Sequence, residues 1–178
     1  MGVTAAGVAG AKEAPSPEIR ALTPEADAYV SVAQPQRNFG GLLTLRADGA
    51  PQTTVYLRFR IKKRGRAITG ITLLLHAQAG PRVRYQVRRV EGNDWREARL
   101  TYSNAPALSL RYASSKPVRR GAWNAVDVTP FVDAGDDRVS LAITTKSAVA
   151  VVFASRESSH GPRLVITADE HPKEELEP

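Results

Sequence analysis

The sequence predicts an all-β protein, a two-sheet antiparallel β-sandwich of about nine strands. Three observations carry this. Val55, Leu57, Phe59 and Ile61 alternate with Tyr56, Arg58, Arg60 and Lys62 over eight consecutive residues, and a two-residue period is that of a strand with one buried face. Turn chemistry recurs at short intervals between apolar runs: Asp48-Gly49, Lys63-Arg64-Gly65-Arg66, Gly80-Pro81 and Gly92-Asn93-Asp94. No segment of useful length carries a 3.6-residue period. Many short strands with regular turns imply a jelly-roll or an immunoglobulin-like sandwich. The lack of a fixed repeat argues against a propeller or solenoid.

The elements follow in order. Residues 1–24 are Ala/Gly-rich and then Pro-rich, as in a flexible arm. Ala26–Val32 is the first strand, and Leu43–Ala47 is the second, ended by the Asp48-Gly49 turn. Thr54–Lys62, Ala67–Ala77 and Arg82–Val90 follow. Residues 91–115 form the longest irregular stretch. Trp123–Val128 comes next, then Arg138–Thr145 and Ala148–Ser155 as a hairpin across Lys146-Ser147. Arg163–Ala168 closes the module of residues 25–168, and 169–178 is an acidic disordered tail.

Chain length suffices for one domain with a sizeable core. The formal charge is +7; with residues 1–24 neutral and the tail at −4, residues 25–168 carry +11. A basic body attracts anionic partners such as nucleic acid, acidic polysaccharide or an anionic surface. The chain has no cysteine, which excludes disulfides, zinc–thiolate sites and thiol catalysis. No run has the length of a membrane span, and the N-terminus lacks the basic and apolar regions of a complete signal peptide.

Chemistry concentrates on the polar faces of two runs. Tyr56, Arg58, Arg60 and Lys62 project from one, and Arg82, Arg84 and Arg88 from the other, opposite Val83, Tyr85 and Val87. If both runs share a sheet, they form a cationic face, and the guanidinium fork matches carboxylate oxygens. The same residues also suit a solvated sheet face, with Arg58 paired to an acid such as Asp27 or Asp48. Trp95 and Tyr102 lie in the irregular stretch, where they serve either to stack on a sugar ring or to plug the sandwich edge. Trp123 reads as a packing or strand-edge residue. His76, His160 and His171 are scattered, and no serine sits in a nucleophile-elbow pattern. No Gly-rich phosphate loop appears, and aromatic interleaving is too sparse for a nucleic-acid platform.

Several motifs then act together. They are Ala26-Asp27-Ala28-Tyr29-Val30, Asn38-Phe39-Gly40, Thr44 to Gly49, Tyr56-Leu57-Arg58-Phe59, and Trp95-Arg96-Glu97. Downstream come Thr101 to Pro106, Trp123 to Thr129, Ser155-Arg156-Glu157 and Pro162-Arg163-Leu164. Their order and spacing over residues 25–168 resemble the DNRLRE-domain group of bacterial extracellular modules, which is similar to carbohydrate-binding module family 96. The resemblance implies a jelly-roll, a non-catalytic role, secretion or cell-surface display, and covalent linkage to other modules. It also implies binding to a polysaccharide of uronate type such as alginate. Arg156 thereby joins the candidate ligand contacts Tyr56, Arg58, Arg60, Arg82, Arg84, Arg88, Trp95 and Tyr102. Arg60 departs from the family's pattern, which often places an acid there. A structural calcium ion fits such modules, but no Asp/Asn run here assigns its ligands, and no cofactor is required. The competing expectation is a structural or adhesive spacer without a glycan site.

Overall fold

In a computed structural model of the protein, described over residues 16–61, 67–133 and 135–169, eleven strands follow the alternation read from the sequence. They are β1 (Glu18–Leu22), β2 (Ala26–Ser31), β3 (Thr44–Gly49), β4 (Gln52–Arg60), β5 (Ile68–Ala79), β6 (Gln86–Val90), β7 (Leu108–Ser114), β8 (Trp123–Asp127), β9 (Arg138–Thr144), β10 (Val151–Ala154) and β11 (Arg163–Ala168). Helix among the described residues is limited to single 3-10 turns at Glu97–Arg99, Tyr102–Asn104 and Thr129–Phe131. Among the described residues no helix is long and apolar enough to cross a membrane.

Every pairing is antiparallel, in the order β1-β11-β5-β10-β3-β4-β9-β6-β7, with β2 added on β4 and β8 on β5. The all-β class is as expected. The pairing is continuous, however, where two separate sheets were expected, because β10 bonds to β5 and also to β3. The sheet curls around one core. Val55, Leu57 and Phe59 of β4 meet Leu73 and Leu75 of β5, Val87 of β6, Leu141 and Ile143 of β9, Phe153 of β10 and Leu164 of β11 there. Each strand contributes its alternate residues, so the period-two pattern is the burial pattern.

Tyr85 lies at the centre of this core, wholly buried and edge-on to Phe153 at 5.2 Å. Its hydroxyl is buried with no hydrogen-bond partner, and burial pushes the phenol pKa up. A desolvated hydroxyl without a partner is costly. Tyr85→Phe is therefore expected to stabilise the fold by about 1 kcal/mol, read as a higher urea midpoint at unchanged slope.

Several boundaries differ from the sequence reading. Residues 18–22, expected within the flexible arm, pair with β11 from Glu18↔Ala168 to Leu22↔Leu164. Residues 1–15, Lys62, the basic turn 63–66 and the tail from 170 lie outside the described residues. Asp48-Gly49 is not the turn. β3 runs through it, Gly49 pairs with Gln52, and the chain reverses at Ala50-Pro51. Gly49 is needed because a Cβ there would sit 2.8 Å from backbone atoms of Lys146 and Ser147. The expected hairpin across Lys146-Ser147 does not form: β9 pairs with β4 and β6, whereas β10 pairs with β3 and β5. β7 emerges from the stretch expected to be irregular.

Candidate functional site

The two arginine-bearing runs do share a stretch of sheet, with β9 between them (β4-β9-β6). Their fates differ. The outer face of β4 is roofed by the segment that follows β6. Trp95 and Leu100 from this segment pack on Ala26, Ala28, Val30, Tyr56 and Ala142 as a second, smaller core. Trp95 is 8% exposed, meets Tyr56 edge-on at 6.1 Å, and donates from Nε1 to Ser140 Oγ at 3.0 Å. Tyr56, expected to face solvent, is 4% exposed and donates to the Pro106 carbonyl at 3.1 Å. Burial pushes its phenol up to about 12.

Arg58 lies under the same roof. Its Nη1 donates to the carbonyls of Asn93 (3.0 Å) and Trp95, and its guanidinium lies 5.1 Å from the Trp95 ring centre. Glu25 gathers Arg58, Arg60 and Arg138. Burial alone would raise the Glu25 carboxyl, but its bonds and charge contacts with Arg60 and Arg138 hold it below its ordinary value. Tyr56, Arg58 and Trp95 are thus packing and clamping residues, and Arg60 is ion-paired. Neither Asp27 nor Asp48 is Arg58's partner; Asp48 holds Arg46 at 2.7 Å.

Arg156 enters a different cluster. Asp27 sits on the core side of β2, 1% exposed, and one of its oxygens accepts the Arg156 backbone N–H at 2.7 Å. Asp27, Glu97 and Glu157 each bring a carboxylate oxygen within 4.8 Å of the others. Arg156 Nε bridges Glu97 and Glu157, at 3.0 Å to each. Among the described residues, these three carboxylates are the group that could hold a hard cation, but the Arg156 guanidinium already supplies positive charge among them. Desolvation raises Asp27 to about 7; the Arg156 N–H bond opposes this, and the Glu157 and Glu97 charges add to it.

The second run remains accessible. Val83, Arg84, Gln86, Ser114, Lys146 and Ser147 line a cleft of about 500 Å³ beside the start of β6 and the end of β7. Arg84 is exposed and donates once, to the Ser115 carbonyl at 2.9 Å. Lys146 and Arg82 are exposed, with no ion pair or hydrogen bond among the described residues. Arg88 donates to the carbonyls of Ser109 and Leu110 and to Gln86 Oε1, and lies 5.0 Å from the Tyr112 ring centre. Tyr112 is half exposed. Among the described residues, Arg84, Arg88 and Lys146 face no carboxylate partner. Tyr102 is partly exposed on its 3-10 turn.

Lys146, Ser114 and Tyr112 escaped the sequence reading. Tyr112 was legible in principle, since Leu108, Leu110, Tyr112 and Ser114 alternate within β7. Lys146 was not. It reaches the cleft because the chain leaves β9 for β10, a non-local event that a hairpin reading conceals.

These features define a class: a β-sheet module with a cationic surface cleft, in which Arg58, Arg60 and Arg156 are engaged within the fold while Arg82 and Arg84 stay exposed. The chain belongs to carbohydrate-binding module family 96, whose profile matches residues 18–168. Membership implies a non-catalytic binding module for carbohydrate. No match to a curated protein was found.

Proposed function

We propose that the module binds an acidic, uronate-type polysaccharide such as alginate in the cleft at Arg84 and Lys146. In this role it anchors an attached enzyme or surface outside the cell, raising the local concentration of linked modules on the polymer. The observation that carries this is the cleft's cations, Arg84 and Lys146, which have no carboxylate partner among the described residues; Tyr112, two residues before Ser114 on β7, is half exposed. A chain of carboxylates supplies the missing partners, and the guanidinium fork takes them in bidentate fashion. No cofactor is required in this reading, because Arg156 occupies the carboxylate cluster. A fall in thermal midpoint on adding chelator would establish a calcium ion there instead.

Exposed charge pairs contribute about 0.2–1 kcal/mol each and are screened by salt. Affinity electrophoresis in gels cast with alginate, pectate, neutral glucan or DNA tests the reading. Retardation by a uronate polymer, weakened by salt, is expected, and Arg84→Ala/Lys146→Ala is expected to weaken it roughly tenfold. Equal retardation by every polyanion would reduce the cleft to generic charge. No retardation would leave a structural spacer.

A further inference from the structure

A second cluster of ring-bearing side chains lies on the outer face of β5 and its neighbours, away from the cleft. In the strand order, β10, β3, β4 and β9 separate β5 from β6. His76 on β5 pairs in register with Trp123 on β8, and their rings meet edge-on at 5.4 Å. His160, from the turn before β11, stacks against His76 at 4.6 Å and lies 6.2 Å from Trp123. Arg163 at the start of β11 holds its guanidinium 4.9 Å from the Trp123 ring centre. Four residues from three segments remote in sequence thus converge on one patch of sheet.

Three properties separate this patch from ordinary surface. Trp123 is 36% exposed, whereas the chain's other tryptophan, Trp95, is buried. Arg163 is exposed and has no carboxylate partner among the described residues. His76 Nδ1 is buried without a hydrogen-bond partner. A buried lone pair costs less than a buried unpaired N–H, so the ring proton and its capacity to donate belong on Nε2. The patch therefore combines a partly exposed indole, one face of which lies under the Arg163 guanidinium, with nitrogen donors around it. That is the complement of a pyranose ring, whose C–H face suits an aromatic π-surface and whose rim presents oxygen acceptors.

We propose that Trp123, His76, His160 and Arg163 form a second saccharide-binding site, independent of the Arg84–Lys146 cleft. The exposed part of the indole receives the apolar face of one sugar unit, and Arg163, seated over the ring, bonds a hydroxyl or carboxylate oxygen at its rim. The inference rests on the family's carbohydrate-binding character and not on the cleft. With two separated sites, one module holds two stretches of polymer.

The test uses the full chain and a mannuronate hexasaccharide. Acrylamide quenching reports Trp123, because Trp95 is buried, and calorimetry counts sites. The hexasaccharide is expected to protect Trp123 from quenching in the wild type and equally in Arg84→Ala/Lys146→Ala. Trp123→Ala is expected to halve the number of sites, and His160→Ala, in an exposed turn, to weaken the same site about tenfold without altering the fold. Unchanged quenching, with binding lost only in the Arg84/Lys146 variant, overturns the platform and leaves the cleft standing. Trp123 protection with no effect of the Arg84/Lys146 variant on site number overturns the cleft and leaves the platform. Silence in both readouts overturns both.

Discussion

Arg58→Ala is expected to cost about 3 kcal/mol of folding stability, the range seen when one partner of a buried charged network is removed. The arginine holds the roofing segment down by bonding two of its carbonyls, at Asn93 and Trp95, while its guanidinium lies against the Trp95 ring. Truncation leaves both carbonyls without their donor and opens a void beneath the indole. Glu25 keeps Arg60 and Arg138, so the loss falls on the roof. Urea denaturation measures the cost, and a red shift of Trp95 emission reports the roof lifting. Arg58→Lys should rescue little, since an ammonium cannot replace the planar fork across two carbonyls. At temperatures where the variant stays folded, its retention on uronate polymer should match the wild type. Lost retention by folded Arg58→Ala would return this residue to the binding surface.

The second large effect concerns Asp27. Its carboxyl has an ordinary value of 3.8 and titrates at about 7 in the folded protein, chiefly because it is desolvated. Between these values the folded state holds a proton that the unfolded state has released. The stability tied to that proton is fully present below about pH 4 and is lost as pH rises through 7. Asp27→Asn keeps an acceptor for the Arg156 N–H and removes the charge. At pH 8 it should stabilise the fold by up to about 4 kcal/mol, a rise of up to ~8–16 °C in Tm. At pH 4 the advantage should vanish. A variant no more stable than wild type at pH 8 would show that Asp27 is ionised without penalty.

How far the sequence carried the structure depends on whether the information was local. Strand period is local, so β4, β5 and β11 were legible within a few residues, and the inward residues Val55, Leu57 and Phe59 were correctly placed. What covers a strand's other face is not local. Tyr56 and Arg58 carry the alternation of solvent-facing residues, yet their roof comes from residues more than 30 positions away. An arginine that clamps two carbonyls and one that waits in an open cleft are identical in a periodic pattern; compare Arg58 with Arg84. The acid that pairs an arginine is equally hidden, as Glu25 serving Arg58, Arg60 and Arg138 shows. β1 was missed because Pro15, Pro17 and Pro24 suggest a linker, whereas five of the six residues between the last two find their partner at the far end of the module.

That pairing of β1 with β11 has a mechanical consequence. Glu18 lies opposite Ala168, so the chain enters and leaves the module about 5 Å apart, at the same end of one ladder. Tension between flanking segments therefore acts across the strands and not along them. It opens the β1–β11 ladder like a zipper, one bond at a time, instead of shearing all its bonds together. The module yields first at this seam, with β11 still bonded to β5 from Arg163 to Ala168. A pull on the two ends then lengthens the chain at this seam while the rest of the curled sheet stays intact.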